Sequence, residues 1–208
     1  LLKPEVWSDI THFEGNANTF RLLTHRFKGR REGGFAMTYT TLAAIVKYPS
    51  SSNASPKKGK FGFFTEEKEV FQRVANELTI PCLHENGSEL RYARYPLVYL
   101  VEAADDICYE VMDIEDSHKL KILSFDETQN LLLSFFSSER KAQILQRIEE
   151  EELTDKNEIV AYYRANVIGT LISACVKVFV DNEEKILSGT FEEALMKHID
   201  KHLYEAYQ

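Results

Sequence analysis

Cysteine, proline and glycine are all scarce in this chain of 208 residues, which has three, five and nine of them respectively. The cysteines form no Cys-x-x-Cys pair, which argues against a disulfide scaffold or a structural zinc site. Each has apolar neighbours, so we expect Cys82, Cys108 and Cys175 to be buried free thiols in a reducing, cytoplasmic compartment. Few prolines and glycines favour long helices over many short strands.

Positive charge is also in deficit, because the net charge of the chain is −8. Such a surface repels phosphate backbones, so a nucleotide site must be a local basic pocket and not a general positive field. Long apolar runs are absent too. The longest, at 167–180, contains Lys177 and is too short by itself to span a bilayer, so we expect no membrane association.

The pattern of apolar residues and capping signals predicts an all-α bundle. Capping-box spacing at Thr11 and Glu14, at Asp126 and Gln129, and at Asp155 and Glu158 marks three helix starts. The helix expected at 156–180 is apolar nearly all the way round, which is typical of a central helix. Helices are predicted from Thr11, over 38–49, from Thr65 to Leu78, from Pro96 to His118, from Asp126, and over 139–153, 156–180 and 190–208, with 79–94 irregular.

The predicted helix from Pro96 to His118 is rich in acidic residues. Asp105, Tyr109 and Asp113 are spaced i, i+4, i+8 and therefore lie along one face. A solvated acidic face is one interpretation. A metal ion or a cationic partner is the other, because the helix contains no lysine or arginine to offset the repulsion between these acids. The histidines are scattered with no His-Asp dipeptide, so a metal site is incomplete within this chain.

Five segments occur in an order that points to one enzyme family. They read HFEGNANTFRLL, TLAAIVKYP, KFGFF, ADDICYEVMDIED and RANVIGTLI, and they extend over nearly the whole chain. Together they resemble the HD-domain deoxynucleoside triphosphate triphosphohydrolases of the bacterial dGTPase type. This resemblance implies an HD-domain-like helical bundle, incomplete at its N-terminal side. It also implies cleavage of a dNTP, dGTP above all, into deoxynucleoside and inorganic triphosphate, with a divalent metal ion such as Mg²⁺ or Mn²⁺.

The resemblance assigns the acidic helix a metal-binding and sugar-binding role. Asp105 matches the family's later metal-ligating aspartate, and Tyr109 and Asp113 match positions that face the deoxyribose. A tyrosine between two aspartates also suits a sugar on chemical grounds, since it offers a flat ring beside hydrogen-bond acceptors.

Other residues are predicted to line the substrate site. The resemblance places Lys47, Tyr48 and Lys60 near the triphosphate, whose charge needs fixed cations in an acidic protein. Lysine at a helix C-terminus is also favoured by the helix dipole, which is the simpler interpretation of Lys47. The remaining residues predicted to bind substrate are His12, Asn16 and Arg164. Arg164 would pair with an acid of the Asp105 face or with a substrate phosphate, and these alternatives stay open.

Some residues near this site have simpler interpretations. Glu14 we interpret as a helix cap, and Lys57 and Lys58 as solubilising loop residues.

The family's upstream histidine, its His-Asp pair and its catalytic His/Glu element precede the segment where this chain begins. We therefore expect a C-terminal portion of a longer enzyme, with no catalytic residue of its own. Within it, 1–118 would be the substrate-site part and 119–208 a C-terminal helical part of one helical region. The family's hexamers imply a homo-oligomer, and a nucleotide or single-stranded DNA effector stays open.

Two other functions remain as alternatives. The first is a non-catalytic helical module for protein interaction or nucleotide-effector binding, with the acidic face as its partner surface. The second is an HD-type enzyme that acts on a cyclic nucleotide or mononucleotide. The pair of Lys47 and Lys60 argues against it, because a substrate with fewer phosphates needs fewer cations.

Overall fold

The structure, a computed structural model, describes residues 2–29, 33–56 and 59–208. Lys57 and Lys58 lie outside the described residues. The described chain is mostly helical and contains two short strands, so the all-α class predicted from the sequence is confirmed with one local exception. Backbone contacts divide the chain into two compact units. The first comprises Leu1–Val101 and Asn182–Glu192, and the second comprises Glu102–Asp181 and Glu193–Gln208.

The first unit contains short helices and a hairpin. In chain order it comprises α1 (Pro4–Thr11), α2 (Gly15–Thr24), α3 (Tyr39–Ile45), a 3₁₀ turn (Thr65–Glu67), α4 (Lys68–Glu77), β1 (Cys82–Asn86), β2 (Glu89–Tyr92), the start of α5 (Pro96–Lys119), and α9 (Glu183–Leu187).

The helix starts in this unit differ in part from those predicted. Thr11 ends α1, which the sequence analysis missed, and does not cap the helix that follows. Glu14 caps α2 as interpreted, because its carboxylate accepts from the backbone N–H groups of Asn16 and Ala17. Thr65 opens a 3₁₀ turn, and the α-helix begins three residues later at Lys68.

The prediction that residues 79–94 are irregular is wrong. Strands β1 and β2 pair antiparallel from Asn86↔Glu89 to Cys82↔Tyr92, with an irregular register near His84. Gly87 adopts a φ of 60° in the two-residue loop, which glycine does readily. The hairpin matters for the site, because residues 49–51 run along β2. The Tyr92 N–H donates to the Pro49 carbonyl and the Ser51 N–H to the Leu90 carbonyl.

Aromatic packing forms the core of the first unit. The rings of Phe63 and Phe71 stack with centroids 4.6 Å apart, and Phe20 meets Phe71 edge-on at 5.6 Å. All three are almost fully buried, together with Leu42 of α3 and Leu90 of β2. Burying each such side chain contributes about 1.5–3 kcal/mol. This core joins α2, α3, α4 and β2, the elements that flank the predicted phosphate-binding residues.

The second unit consists of helices joined by turns and loops, with no strand among its described residues. It contains the rest of α5, then α6 (Phe125–Leu133), α7 (Ser138–Glu150), α8 (Lys156–Asp181), a 3₁₀ turn (Leu195–His198) and α10 (Lys201–Tyr207). The long helices predicted from Pro96 and over 156–180 are confirmed.

Caps in the second unit were predicted with mixed success. Asp155 caps α8 as predicted, accepting from the N–H groups of Asn157 and Glu158 at 2.8 and 3.1 Å. The capping box of α6 is formed by Ser124 and Glu127, not by the predicted Asp126 and Gln129. The predicted final helix over 190–208 is interrupted, because a 3₁₀ turn precedes α10.

Helix α8 is buried on one face only, which differs from the expected central helix. Val167 and Leu171 are inaccessible, whereas Ile172, Val176 and Val180 are exposed. With 26 residues, α8 is long and apolar enough to cross a membrane by length and composition, although the 14-residue apolar run within it is not. A core helix of a soluble protein passes the same test, so this is weak evidence for a membrane span.

The cysteines are free thiols, but the prediction that all three are buried is wrong. Cys82 and Cys108 are exposed, because Cys82 lies on the exposed strand β1 and Cys108 on an outward face of α5. Only Cys175 is buried, and burial together with the nearby Asp106 carboxylate raises the pKa of its thiol to about 11. Its thiol is therefore protonated and unreactive at neutral pH.

Candidate functional site

The first unit brings Lys47 and Lys60, two predicted phosphate-binding residues, close to the ring of a third, Tyr48. The ammonium nitrogens of Lys47 and Lys60 lie 5.8 and 5.7 Å from the centroid of the Tyr48 ring. At these distances the negative ring face attracts each cation. Two cationic side chains thus lie beside the same ring, and lysine ammonium groups are suitable partners for a polyanion. We call Lys47, Tyr48 and Lys60 the Tyr48 cluster.

The N-terminus of α2 positions this cluster. The Asn16 side-chain oxygen accepts from the backbone N–H of Lys47 at 3.0 Å, which fixes the chain where α3 has just ended. The buried Glu14 carboxylate, which caps α2, lies 3.5 Å from the Lys60 ammonium. The segment FEGNA therefore contacts both lysines of the cluster, Lys47 through the Asn16 side chain and Lys60 through the Glu14 carboxylate.

Gly62 is a site residue that sequence reasoning missed. A Cβ added there would lie 2.4 Å from the Tyr48 carbonyl oxygen and 2.4 Å from a methyl carbon of Val46. Its N–H donates to the Ser50 carbonyl at 3.0 Å. Only glycine allows the segment that follows Lys60 to approach the Tyr48 backbone this closely. The glycine in KFGFF was the available signal.

His12 forms local contacts at the end of α1. Its Nδ1 atom lies 3.2 Å from both the Ser8 carbonyl and the Thr11 hydroxyl. These contacts account for the ring position without a ligand, and the assignment of His12 to the substrate site stays a prediction.

In the second unit, Asp105, Tyr109 and Asp113 form one exposed row on α5, which we call the acidic stripe. Tyr109 is 67% exposed although it is a large aromatic residue. A second row on the same helix, with the same four-residue spacing, is buried and consists of Ala103, Ile107, Val111 and Glu115. The two rows are offset by two residues, which is about 200° of helical rotation. The stripe therefore points away from the buried row of its helix.

Asp106, the acid that follows Asp105 on α5, lies in a different environment from the acidic stripe. Burial, reinforced by the nearby carboxylates of Asp106 and Glu110, raises the pKa of Tyr207 to about 12. Asp106 is half-buried and lies near α10, whereas Asp105, one residue earlier, is exposed. The structure thus separates the adjacent aspartates, and only Asp105 belongs to the exposed row.

Arg164 pairs with a buried acid outside the acidic stripe. Its guanidinium donates to the Glu115 carboxylate, which also lies 3.1 Å from the Lys119 ammonium. Burial tends to raise the pKa of Glu115, but the hydrogen bonds from Arg164 and Lys119 outweigh it, and the pKa is lowered. The carboxylate that pairs with Arg164 is therefore not an acid of the Asp105 face, as one of the two expectations had it, but Glu115 of the buried row of α5. Its role toward substrate stays a prediction.

Replacing Arg164 with methionine is expected to lower the free energy of unfolding by about 2 kcal/mol at pH 7, because a buried carboxylate loses a charged partner. The lowered pKa of Glu115 means that the pair stabilises the fold above the unfolded-state pKa near 4.5 and loses that contribution as the pH falls through the folded-state value. Urea unfolding at pH 7 and pH 3 measures both effects.

Arg147→Met is the matched control, since Arg147 forms exposed ion pairs only and should change stability by less than about 0.5 kcal/mol. An equal loss in both variants, or a loss for Arg164→Met that does not shrink at pH 3, would contradict this account.

The fit of these residues to a metal ion is partial. Asp105 offers an exposed carboxylate, which is a suitable ligand for Mg²⁺ or Mn²⁺. No three histidine, cysteine or acidic side chains are grouped as a metal site in the part of the chain that the structure describes. These residues can therefore supply one ligand but do not complete a metal centre.

Comparison with known proteins identifies relatives over almost the whole chain. No protein-family model matches it. A deoxyguanosinetriphosphate triphosphohydrolase-like protein of Pseudomonas aeruginosa is 35% identical over 196 residues, which cover 92% of this chain and 43% of that protein. A protein of the same name from Synechocystis is 34% identical and covers 95% of this chain and 44% of its own length. The deoxyguanosinetriphosphate triphosphohydrolase of Yersinia enterocolitica is 25% identical over 95% and 40%.

The chain thus spans less than half the length of the relatives it matches. The resemblance inferred from the five sequence segments is confirmed, since the similarity extends across all of them. This chain is a homologue of the deoxyguanosinetriphosphate triphosphohydrolases and their -like proteins, and corresponds to a portion of them.

Proposed function

We propose that the protein containing this chain hydrolyses a deoxynucleoside triphosphate, with dGTP as the first candidate, to the deoxynucleoside and inorganic triphosphate in a metal-dependent reaction. The observation that carries the proposal is the similarity, over 92–95% of the chain, to proteins named deoxyguanosinetriphosphate triphosphohydrolase or deoxyguanosinetriphosphate triphosphohydrolase-like protein. The arrangement of the described residues supports it. Each unit presents one of the two kinds of surface that a nucleoside triphosphate needs, a cationic cluster and an acidic stripe with an aromatic ring.

The Tyr48 cluster would bind the phosphates in this proposal. A triphosphate carries about four negative charges at neutral pH, and the overall charge of −8 does not attract it. Lys47 and Lys60 would supply compensating positive charge, and Asn16 holds the backbone at Lys47 in place. Neutralising charge that shifts among the phosphates during bond cleavage is the main contribution a protein makes to phosphoryl transfer.

The acidic stripe would bind the sugar and one metal ion. Asp105 would donate one carboxylate oxygen to a divalent cation whose other ligands lie outside the described residues. The exposed Tyr109 ring can lie against the deoxyribose, and the Asp113 carboxylate can accept a hydrogen bond from a sugar hydroxyl. The stripe covers about 12 Å of helix, which is long enough for a metal-bound phosphate at one end and a sugar at the other.

The proposal extends to the context of the enzyme on the strength of the resemblance alone. We propose a cytoplasmic homo-oligomer, with a nucleotide or single-stranded DNA as a candidate effector. The three free thiols are compatible with a reducing compartment.

The experiment uses the full natural protein with dGTP and Mg²⁺ or Mn²⁺, and phosphorus NMR to identify the products. Inorganic triphosphate should appear together with deoxyguanosine, without dGDP or dGMP as intermediates, and EDTA should stop the reaction. Release of pyrophosphate or of single phosphates would contradict the proposed cleavage. Absence of turnover with every dNTP would favour the alternative, a non-catalytic binding module.

A further inference from the structure

A cavity of about 330 Å³ adjoins the Tyr48 cluster within the first unit. Tyr48 and Lys60 line it, and Arg91 of β2 and Arg94 contribute two further cationic side chains. One carboxylate, that of the exposed Glu192, also lines the cavity. The volume lies at the lower end of the range for small-molecule sites. The cavity therefore concentrates positive charge in a protein that is negative overall.

Ser50 lines the same cavity and has a buried hydroxyl without a hydrogen-bond partner among the described residues. Its side chain is only 2% exposed. Its backbone is fixed, since its N–H donates to the Tyr48 carbonyl at 2.7 Å and its carbonyl accepts from Gly62 at 3.0 Å. Buried polar atoms are nearly always paired, and an unpaired one calls for an explanation such as a ligand.

The donors of this cavity match a phosphate group. Arginine guanidinium groups bind phosphate oxygens in a bidentate manner, and a hydroxyl adds one neutral donor. Ser50 and Arg91 form an isolated antiparallel β-bridge, so the two residues lie opposite each other although they are far apart in the sequence, and both line the cavity. Lys60, whose side chain is 51% exposed, connects the cavity with the Tyr48 cluster.

We infer that this cavity binds the terminal phosphates of the substrate triphosphate, with Arg91 and Ser50 as further substrate-binding residues. The identity of the ligand rests on the proposed function, whereas its anionic chemistry rests on the lining residues. The Tyr48 cluster and the cavity then form one continuous polyphosphate site. Lys60 lines the cavity and also belongs to the Tyr48 cluster, so it is the residue that the two parts of this site share.

The test measures binding of inorganic triphosphate to the full natural protein by isothermal titration calorimetry. Arg91→Gln should weaken binding about tenfold or more, because a charge-assisted hydrogen bond is lost. Ser50→Ala removes one hydroxyl without a protein partner, so the fold is kept, and it should weaken binding by a smaller factor. Arg147→Gln on α7 serves as the matched control and should bind as the wild type does.

The inference is overturned if the wild type does not bind triphosphate at millimolar concentration, or if Arg91→Gln and Ser50→Ala bind it as tightly as Arg147→Gln. Hydrolysis of dGTP, measured on the same samples, separates this failure from that of the proposed function. Turnover with an unchanged KM in Arg91→Gln contradicts the cavity site and leaves the activity standing. If triphosphate binding depends on Arg91 but no dNTP is hydrolysed, the cavity site stands and the proposed activity is contradicted.

Discussion

Replacing Asp105 with alanine is expected to reduce dGTP hydrolysis by the full protein about a thousandfold. The proposed role of Asp105 is that of a metal ligand, and metal ions contribute several kcal/mol to transition-state stabilisation, where each 1.36 kcal/mol is a factor of ten. The side chain is exposed, so its removal should change the free energy of unfolding by less than about 0.5 kcal/mol. Initial rates of triphosphate release, together with urea unfolding, measure both quantities.

The matched control is Asp116→Ala on the same helix. Asp116 is also exposed, and its carboxylate lies 3.9 Å from the Lys119 ammonium in a surface ion pair of little energetic value. Its activity should remain within a factor of about two of the wild type. If Asp105→Ala retains more than a tenth of the activity, or if both variants lose activity equally, the acidic stripe does not hold the metal.

Replacing Gly62 with alanine has the second large expected effect. The added Cβ would overlap the Tyr48 carbonyl and Val46, and both are fixed in a tightly packed segment. Relieving such an overlap requires a backbone shift, which costs about 1–3 kcal/mol of stability. Because the shift moves Lys60 relative to Tyr48, the KM for dGTP should rise about tenfold, as expected for the loss of one well-placed charged contact.

Gly169→Ala makes the same substitution at an open position. Gly169 is inside α8, and apart from the adjoining helix backbone no atom of the described residues lies within 4 Å of a Cβ built there. Alanine should therefore stabilise the helix by up to about 1 kcal/mol. Its KM should not change. An unchanged melting temperature and KM in Gly62→Ala would show that the close approach of the two segments is not required for phosphate binding.

The sequence predicted α5 and the acidic stripe well because both depend on helical periodicity. Buried and exposed rows with the same four-residue spacing are a local property, and after Pro96 no proline or glycine interrupts the helical pattern of α5. Asp105, Tyr109 and Asp113 therefore lie where the pattern put them. Their chemical roles came from the resemblance and await measurement.

The hairpin and the cap of α6 show where local signals were ambiguous. All residues of β1 are exposed, so the strand lacks the alternation that marks a half-buried strand, and the Asn86-Gly87 pair was its only clear signal. Near α6, two overlapping pairs had capping-box spacing, and Ser124 with Glu127 forms the actual box.

Contacts between distant parts of the chain were not predictable. The pair of Arg164 and Glu115 joins residues 49 positions apart, and the close approach at Gly62 depends on how residues 46–50 lie beside it. That the buried Ser50 hydroxyl has no hydrogen-bond partner among the described residues is likewise visible only in the folded chain. A single sequence predicts which residues can do the chemistry, but the packing decides which of them meet.

The most direct test of the acidic stripe is a crystal structure of the full protein with Mn²⁺ and a non-hydrolysable dGTP analogue. The account predicts an anomalous manganese peak about 2.1–2.2 Å from an Asp105 oxygen, as for a hard oxygen-bound cation, with the deoxyribose between Tyr109 and Asp113. A manganese peak remote from Asp105, or a sugar that contacts neither residue, would contradict it.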